Sequence, residues 1–334
     1  MHPIIEPVPL LSSFFPDLTI RSIKSMGSGF SSDVYLVNDR LVFRFAKNQE
    51  TARKFQIEYK LLPLIQPYIP FQIPNPQWIV SDFEAPVHGI IGYEMVPGFP
   101  LTPPLTQEQI NLLSQGVASF LVSLHQIPLY KFNKIDIPVC NYTENELIQI
   151  RSELLPRLRE TLTADEYTDI EDWWETLLNY NIFHLYEPRL CHGDLWYENI
   201  LVNGDRNRIT GIIDFGEISL GDPARDLAVQ LYLGVDFFKD VYNQYISKMG
   251  YSCPHLIQRV KLHWELRELI GLHYCIKHKD WDEFREGNRK NQNLGDPWKE
   301  TLWIMLWMCC FDFPNIYIVI SQPVFRALFL TCSL

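Results

Sequence analysis

The stretch that most constrains the fold is CHGDLWYENILVNGDRNRITGIIDFG, residues 191–216. A polar loop holding His192, Asp194 and Asn199 runs straight into the apolar Ile200-Leu201-Val202. A turn follows at Asn203-Gly204-Asp205, and a second apolar run ends at Asp214-Phe215-Gly216. Two short apolar runs around turn residues read as an antiparallel strand pair. In such a hairpin the residues before the first strand and after the second share one end, so Asn199 and Asp214 converge beside Asp194. An amide and a carboxylate oxygen are hard ligands suited to Mg²⁺, which usually also coordinates substrate phosphates. Asp194 is left to accept or orient a hydroxyl proton. In-line positioning, neutralised charge and a placed acceptor are what phosphoryl transfer requires.

The rest of the chain divides by period. Residues 20–47 read as strands, and DVYLVNDRLVFRFA predicts a hairpin around Asn38-Asp39-Arg40. Phe55, Tyr59 and Leu62 then recur at helical spacing within 50–66. PYIPFQIPNPQW is a proline-rich connector, and HGIIGYEMVPGFPL reads as a strand stopped at Pro97-Gly98. Beyond this, helices dominate. Thr106 with Gln109, Thr143 with Glu146, and Thr163 with Glu166 are capping-box pairs, and 225–234, 236–249 and 255–278 also read as helical. The expected architecture is α+β and bilobal. It has a small β-rich N-lobe (1–96), a linker (97–104), a larger mainly helical C-lobe (105–301) and an apolar tail of unknown role (302–334).

Size and composition narrow the function classes. A chain of 334 residues predicts about two domains or lobes. With 47% hydrophobic and 21% charged residues it can bury a large core. A net charge of −11 argues against a nucleic-acid partner and suits a cationic ligand. The N-terminus lacks a basic region and does not read as a secretory signal. Polar and proline interruptions in 302–334 argue against a membrane span. Seven cysteines without a C-x-x-C pair fit a reduced, cytoplasmic compartment.

H-x-D-x-x-x-x-N followed by D-F-G is the protein-kinase catalytic pattern. With Gly193 in place of Arg, HGDLWYEN resembles the aminoglycoside phosphotransferase family of small-molecule kinases. IIDFGEISLGDPARDLA (212–228) and FLVSLHQIP (120–128) are similar to further family signatures, and the resemblance covers about residues 20–280. It implies a protein-kinase-like fold in which Asp194 is catalytic and Asn199 and Asp214 hold Mg²⁺. GSGFSSDV then resembles a phosphate-cradling glycine loop through Gly27, Ser28 and Gly29, with Ser32 replacing the third glycine. Arg44 stands in the slot of the kinase lysine and, by resemblance, pairs with Glu58 and reaches the nucleotide phosphates. Lys47 is the alternative phosphate contact, and strand parity points it the other way. The backbone of Glu94 and Val96 is the expected nucleobase hinge, for ATP or GTP alike. His192 and Asp226 are expected to brace the catalytic loop, with Asp222 in the same support.

No A-P-E follows D-F-G, and only residues 217–220 separate Gly216 from Gly221. That argues against a protein substrate, and no protein partner is evident. The implied acceptor is a hydroxyl of a small molecule. Ten carboxylates against three arginines within 141–180 suit a polyamine such as an aminoglycoside, although solvated helix faces would look the same. Glu265 and Glu268 are candidate ammonium contacts. The general look is similar to the 2''-type aminoglycoside kinases. A macrolide or metabolite (homoserine, choline, methylthioribose) kinase and a non-catalytic nucleotide-binding pseudokinase are the competing readings.

Overall fold

The computed structural model describes residues 6–29, 31–81, 87–140, 142–159, 164–179, 186–250 and 255–278. The apolar 302–334 segment and Thr163 lie outside these residues. In chain order the elements are α1 (Pro7–Phe14), β1 (Ile23–Ser28), β2 (Ser32–Val37), β3 (Leu41–Ala46) and α2 (Gln49–Ile65). Then come β4 (Pro76–Ser81), β5 (Gly89–Glu94), β6 (Phe99–Pro100), α3 (Gln107–His125) and β7 (Val139–Cys140). The second half holds α4 (Glu144–Leu158), α5 (Ala164–Asn179), β8 (Arg189–Cys191), β9 (Ile200–Val202) and β10 (Ile209–Ile212). It ends with β11 (Ser219–Gly221), α6 (Ala224–Ala228), α7 (Val235–Met249) and α8 (Leu256–His278). The sheets run β1-β2-β3-β5-β4, β10-β9-β6 and β7-β11-β8. An antiparallel-sheet N-terminal part and a mainly helical remainder make the α+β class expected of a protein-kinase-like chain.

Local chemistry explains the first sheet. Asn38 and Asp39, both at φ 54°, make the turn between β2 and β3, closed by Arg40 N–H on the Val37 carbonyl at 3.1 Å. Positive φ at two successive residues is what a hairpin of this twist demands, and Asn and Asp tolerate it. The period of two along β3 sends Leu41, Phe43 and Phe45 into one apolar cluster with Leu11 of α1 and Ile90. Ala46 points to the opposite cluster, with Ala52 and Phe55 of α2 and Ile91. Each fully buried phenylalanine is worth about 1.5–3 kcal/mol of transfer free energy. Arg44 shares the parity of Ala46, so its side chain goes to the α2 side. The helix α1 carried no expectation. Eight residues starting with two prolines in three positions show little period, and α1 is held by burial of Leu11.

The chain forms two compact units, each discontinuous in sequence. The first is 1–102, 106–139 and 189–220. Besides the five-stranded sheet it contains α3, begun by the Thr106–Gln109 capping box with both reciprocal bonds present. The β9–β10 hairpin belongs here, with Ile200 opposite Ile212. The second unit is 103–105, 140–188 and 221–334. Its core joins α4, α5 and α8 through Leu154, Leu158, Ile170, Trp174, Leu266 and Leu269. The Thr143–Glu146 capping bonds precede α4: the Glu146 N–H donates to Thr143 Oγ1 at 3.2 Å, and the Thr143 N–H to Glu146 Oε2 at 2.8 Å. Gly250, at φ 71°, ends α7 in the left-handed conformation typical of a helix stop. Among the described residues no helix is long and apolar enough to cross a membrane.

Candidate active site

The hairpin register assembles the first half of the site. Because Ile200 faces Ile212, Asn199 and Ile213 emerge at the same end, and the Ile213 N–H donates to the Asn199 carbonyl at 2.9 Å. Asp214 follows directly at φ 62°, a left-handed conformation costing a non-glycine residue about 1–2 kcal/mol. Such strain persists where surrounding structure imposes it, and it concentrates at functional positions. The bend leaves the Asp214 side chain 52% exposed. Asn199 donates its amide Nδ2 to the Asp194 carbonyl at 2.9 Å, so its Oδ1 is the atom that can ligate a cation. Asp194 itself is partly exposed, anchored by the fully buried Leu195 next to it.

His192 is fully buried and its tautomer follows from its contacts. The Asp194 N–H donates to Nδ1 at 3.3 Å, so Nδ1 is the acceptor. Nε2 therefore carries the proton and donates to the Ile213 carbonyl at 3.1 Å. Its ring packs on Phe215, centroids 4.5 Å apart, and on Phe120 at 6.2 Å. One imidazole thus ties the loop before Asp194 to the strand end before Asp214. Gly193 between them lies at φ 85°, and a Cβ there would collide with the backbone carbonyl of Glu217. This is the physical reason for a glycine where the protein-kinase pattern has arginine.

Arg44 forms the second half. Its Nη1 donates to both carboxylate oxygens of Glu58, at 3.0 and 3.1 Å. Nη2 reaches Asp214 Oδ1 at 3.5 Å, the Tyr93 hydroxyl adds to the electrostatic surroundings of the guanidinium, and its carbon lies 4.9 Å over the Phe55 ring. Burial opposes the Arg44 charge, but Glu58, Tyr93 and Asp214 outweigh it and raise its pKa. Burial likewise pushes the Glu58 carboxyl up while Arg44 pulls it down. A single guanidinium nitrogen thus bridges both carboxylate oxygens. Burial also pushes the Tyr93 hydroxyl up, to about 12.

Lys47 takes a different place. Past the end of β3, its Nζ donates to Ser28 Oγ at 2.7 Å and to the Gly29 carbonyl at 2.5 Å, and pairs with Asp33 at 3.1 Å. It therefore sits on the glycine-rich turn, which the Gly29 N–H closes on the Ser32 carbonyl at 2.9 Å. Gly27, at φ 151°, adopts the permissive conformation expected of such a turn. Glu94 ends β5 opposite Leu41, and Val96 is buried two residues on. Tyr93, Phe55 and Glu217 were not expected in the site. The weak signal for the first two was parity on β5 and the position of residue 55 one turn before 58.

The remaining candidates lie in the second unit. Glu265 is only 2% exposed. Its Oε2 accepts the Trp173 indole N–H at 3.0 Å, and its Oε1 has no hydrogen-bond partner. Burial pushes this carboxyl up to about 7. The Glu268 side chain lies outside the described residues. Asp226 is buried on α6. Asp222 receives Arg259 Nε at 2.7 Å, His263 Nε2 at 3.2 Å and the Ala224 N–H at 2.9 Å, tying α6 to α8. Of the acidic residues between 141 and 180, Glu146, Glu153 and Glu175 already have Thr143, His273 and Arg151 as partners.

Comparison with known proteins places the chain in a family. The model of the phosphotransferase enzyme family matches residues 22–253, and the chain belongs to that family. The GDP and kanamycin complex of APH(2")-IIIa is similar over 86% of this chain and 97% of that one, with TM-score 0.73 and 26% identity. The aminoglycoside 3'-phosphotransferase of Escherichia coli is 19% identical over 64% of this chain and 72% of its own length. The macrolide 2'-phosphotransferase MphH from Brachybacterium faecium shares the fold, with TM-score 0.59 and 17% identity over 87% and 96% of the two chains. The chain is thus a phosphotransferase of the kinase-like class.

Proposed function

We propose that this phosphotransferase moves the γ-phosphoryl group of ATP or GTP to a hydroxyl of a small cationic molecule, with an aminoglycoside as acceptor. The observation that carries the reading is the network joining Glu58, Arg44 and Asp214, with Asn199 and Asp194 tied to the same strand end. The acceptor class is supported by the likeness to a kanamycin-bound relative. In this reading Asp194 accepts a hydrogen bond from the acceptor hydroxyl, aims its oxygen at the γ-phosphorus and takes the proton as the new O–P bond forms and the bond from the γ-phosphorus to the β,γ-bridging oxygen breaks, releasing nucleoside diphosphate. The backbone of the Gly27-Ser28-Gly29 turn cradles the phosphates, and the Gly29 N–H leaves the Ser32 carbonyl to take part. Arg44 Nη2, held by Asp214 only at 3.5 Å, is the donor we assign to them. The backbone of Glu94 and Val96 receives the nucleobase.

The donor set fits magnesium: one half-exposed carboxylate and one amide oxygen, both hard, on adjoining chain ends. Asp214 and Asn199 Oδ1 would hold the ion, which would neutralise charge on the transferring phosphate. Glu265 is kept as an ammonium partner because a buried carboxylate oxygen without a hydrogen bond is relieved by a cation. A macrolide acceptor is the second reading, favoured by the fold shared with a macrolide 2'-phosphotransferase.

The test is nucleoside-diphosphate release with magnesium and ATP or GTP, against kanamycin, gentamicin and a macrolide. Stimulation by the aminoglycosides is the expected result. Stimulation by the macrolide alone transfers the reading to that class. Asp194→Ala should lower kcat by orders of magnitude and leave nucleotide affinity unchanged; undiminished turnover by this variant removes the assignment.

A further inference from the structure

Glu217 touches two parts of the site at once. Its backbone carbonyl occupies the space a Cβ on Gly193 would need, one residue before Asp194. Ser219 Oγ donates to that carbonyl at 3.2 Å. Its carboxylate receives Lys54 Nζ at 2.6 Å. Lys54 lies on α2 one turn before Glu58, so the two share a helix face. That face grips Arg44 through Glu58 and the segment after Asp214 through Lys54. Lys54 also reaches Glu50 of its own helix, more loosely, at 3.6 Å.

We infer that Lys54 and Glu217 are a positioning pair for phosphoryl transfer, locking α2, the Asp214 segment and the Gly193–Asp194 loop into one arrangement. The inference rests on the roles proposed above for Asp194 and Asp214. In protein kinases an activation segment ordered by phosphorylation controls this geometry. Here only residues 217–220 lie between Gly216 and Gly221, and an ion pair that needs no modification takes that task. Lys54 is 31% exposed and Glu217 51%, so solvent screens the pair and its effect is moderate.

Charge reversal tests it on the full chain. Lys54→Glu and Glu217→Lys should each lower kcat with kanamycin by about three- to fivefold, leaving the kanamycin KM unchanged. Each should speed amide exchange in residues 191–199 and 213–218 of the ligand-free protein. The double reversal should restore both. Single variants equal to the parent in kcat and exchange would overturn the inference. So would a Glu217→Lys rise in kanamycin KM that Lys54→Glu does not share and the double does not repair, which would make Glu217 an acceptor contact. If the parent does not turn over kanamycin, the acceptor reading fails by itself. The exchange data then decide: recovery in the double supports the pair, and its absence overturns it.

Discussion

Arg44 shows how much one residue identity carries. A lysine in its place would offer a single ammonium to Glu58, Tyr93 and Asp214. The guanidinium meets all three and stacks on Phe55. Arg44→Lys should therefore keep the fold and lower kcat/KM by about tenfold or more, the loss of roughly one charge-assisted bond. Arg44→Met should do worse, because it leaves Glu58 buried without a partner. Steady-state kinetics beside thermal melting separate the two effects. The slot itself was legible from strand parity and from the motif around it. The Tyr93 contact was not, because nothing in the spacing of residues 44 and 93 pairs two neighbouring strands.

Glu265 makes a pH prediction at the same scale. Its carboxyl is raised to about 7 by burial, whereas in the unfolded chain it titrates near 4.5. Between those values the folded state holds a proton that the unfolded state has released. This contribution to stability is fully present below about pH 4.5 and is lost as pH rises through 7. Glu265→Gln keeps an acceptor for Trp173 and cannot ionise. Its stability should be flatter over that window, by no more than about 3 kcal/mol, as denaturant melts at pH 4.5, 6 and 8 would show. The proposed ammonium contact rests on Oε1, and the bond from Trp173 of α5 to Oε2 was not legible because 92 positions separate the two residues.

At the scale of elements, the proposed catalytic loop depends on Gly193. Its φ of 85° and the Glu217 carbonyl leave no space for a methyl group. Gly193→Ala should cost about 1–3 kcal/mol and abolish most turnover by displacing Asp194. Melting and kcat measured together check both. By contrast, Thr106→Ala at the start of α3 removes a capping bond remote in sequence from the site. It should cost about 1 kcal/mol in stability and leave KM values unchanged. Both capping boxes that fall on described residues, the β2–β3 turn and the long helices at 235–249 and 256–278 were legible in sequence. Each rests on contacts within about four residues. The helix 225–234 was legible only in part, for α6 stops at Ala228 and continues as a 3₁₀ turn through Leu233.

For the whole molecule, the net charge of −11 should act at long range. A polycationic acceptor would be drawn to it and screened by salt. The kanamycin KM should rise severalfold between about 50 and 300 mM KCl, while that of a neutral acceptor stays level. The sequence by itself determined the groups available: Asp194, the oxygen-bearing side chains of Asn199 and Asp214, a glycine-rich turn, and Arg44 on the face of β3 opposite Phe43 and Phe45. These follow from motif spacing and strand parity, which are local. Tertiary structure alone decided which partners those groups keep. Arg44 meets Asp214 across 170 positions, Lys54 meets Glu217 across 163, and Trp173 claims Glu265 across 92. Such pairs exist only once burial has chosen which surfaces leave water, and no periodicity along the chain encodes that choice.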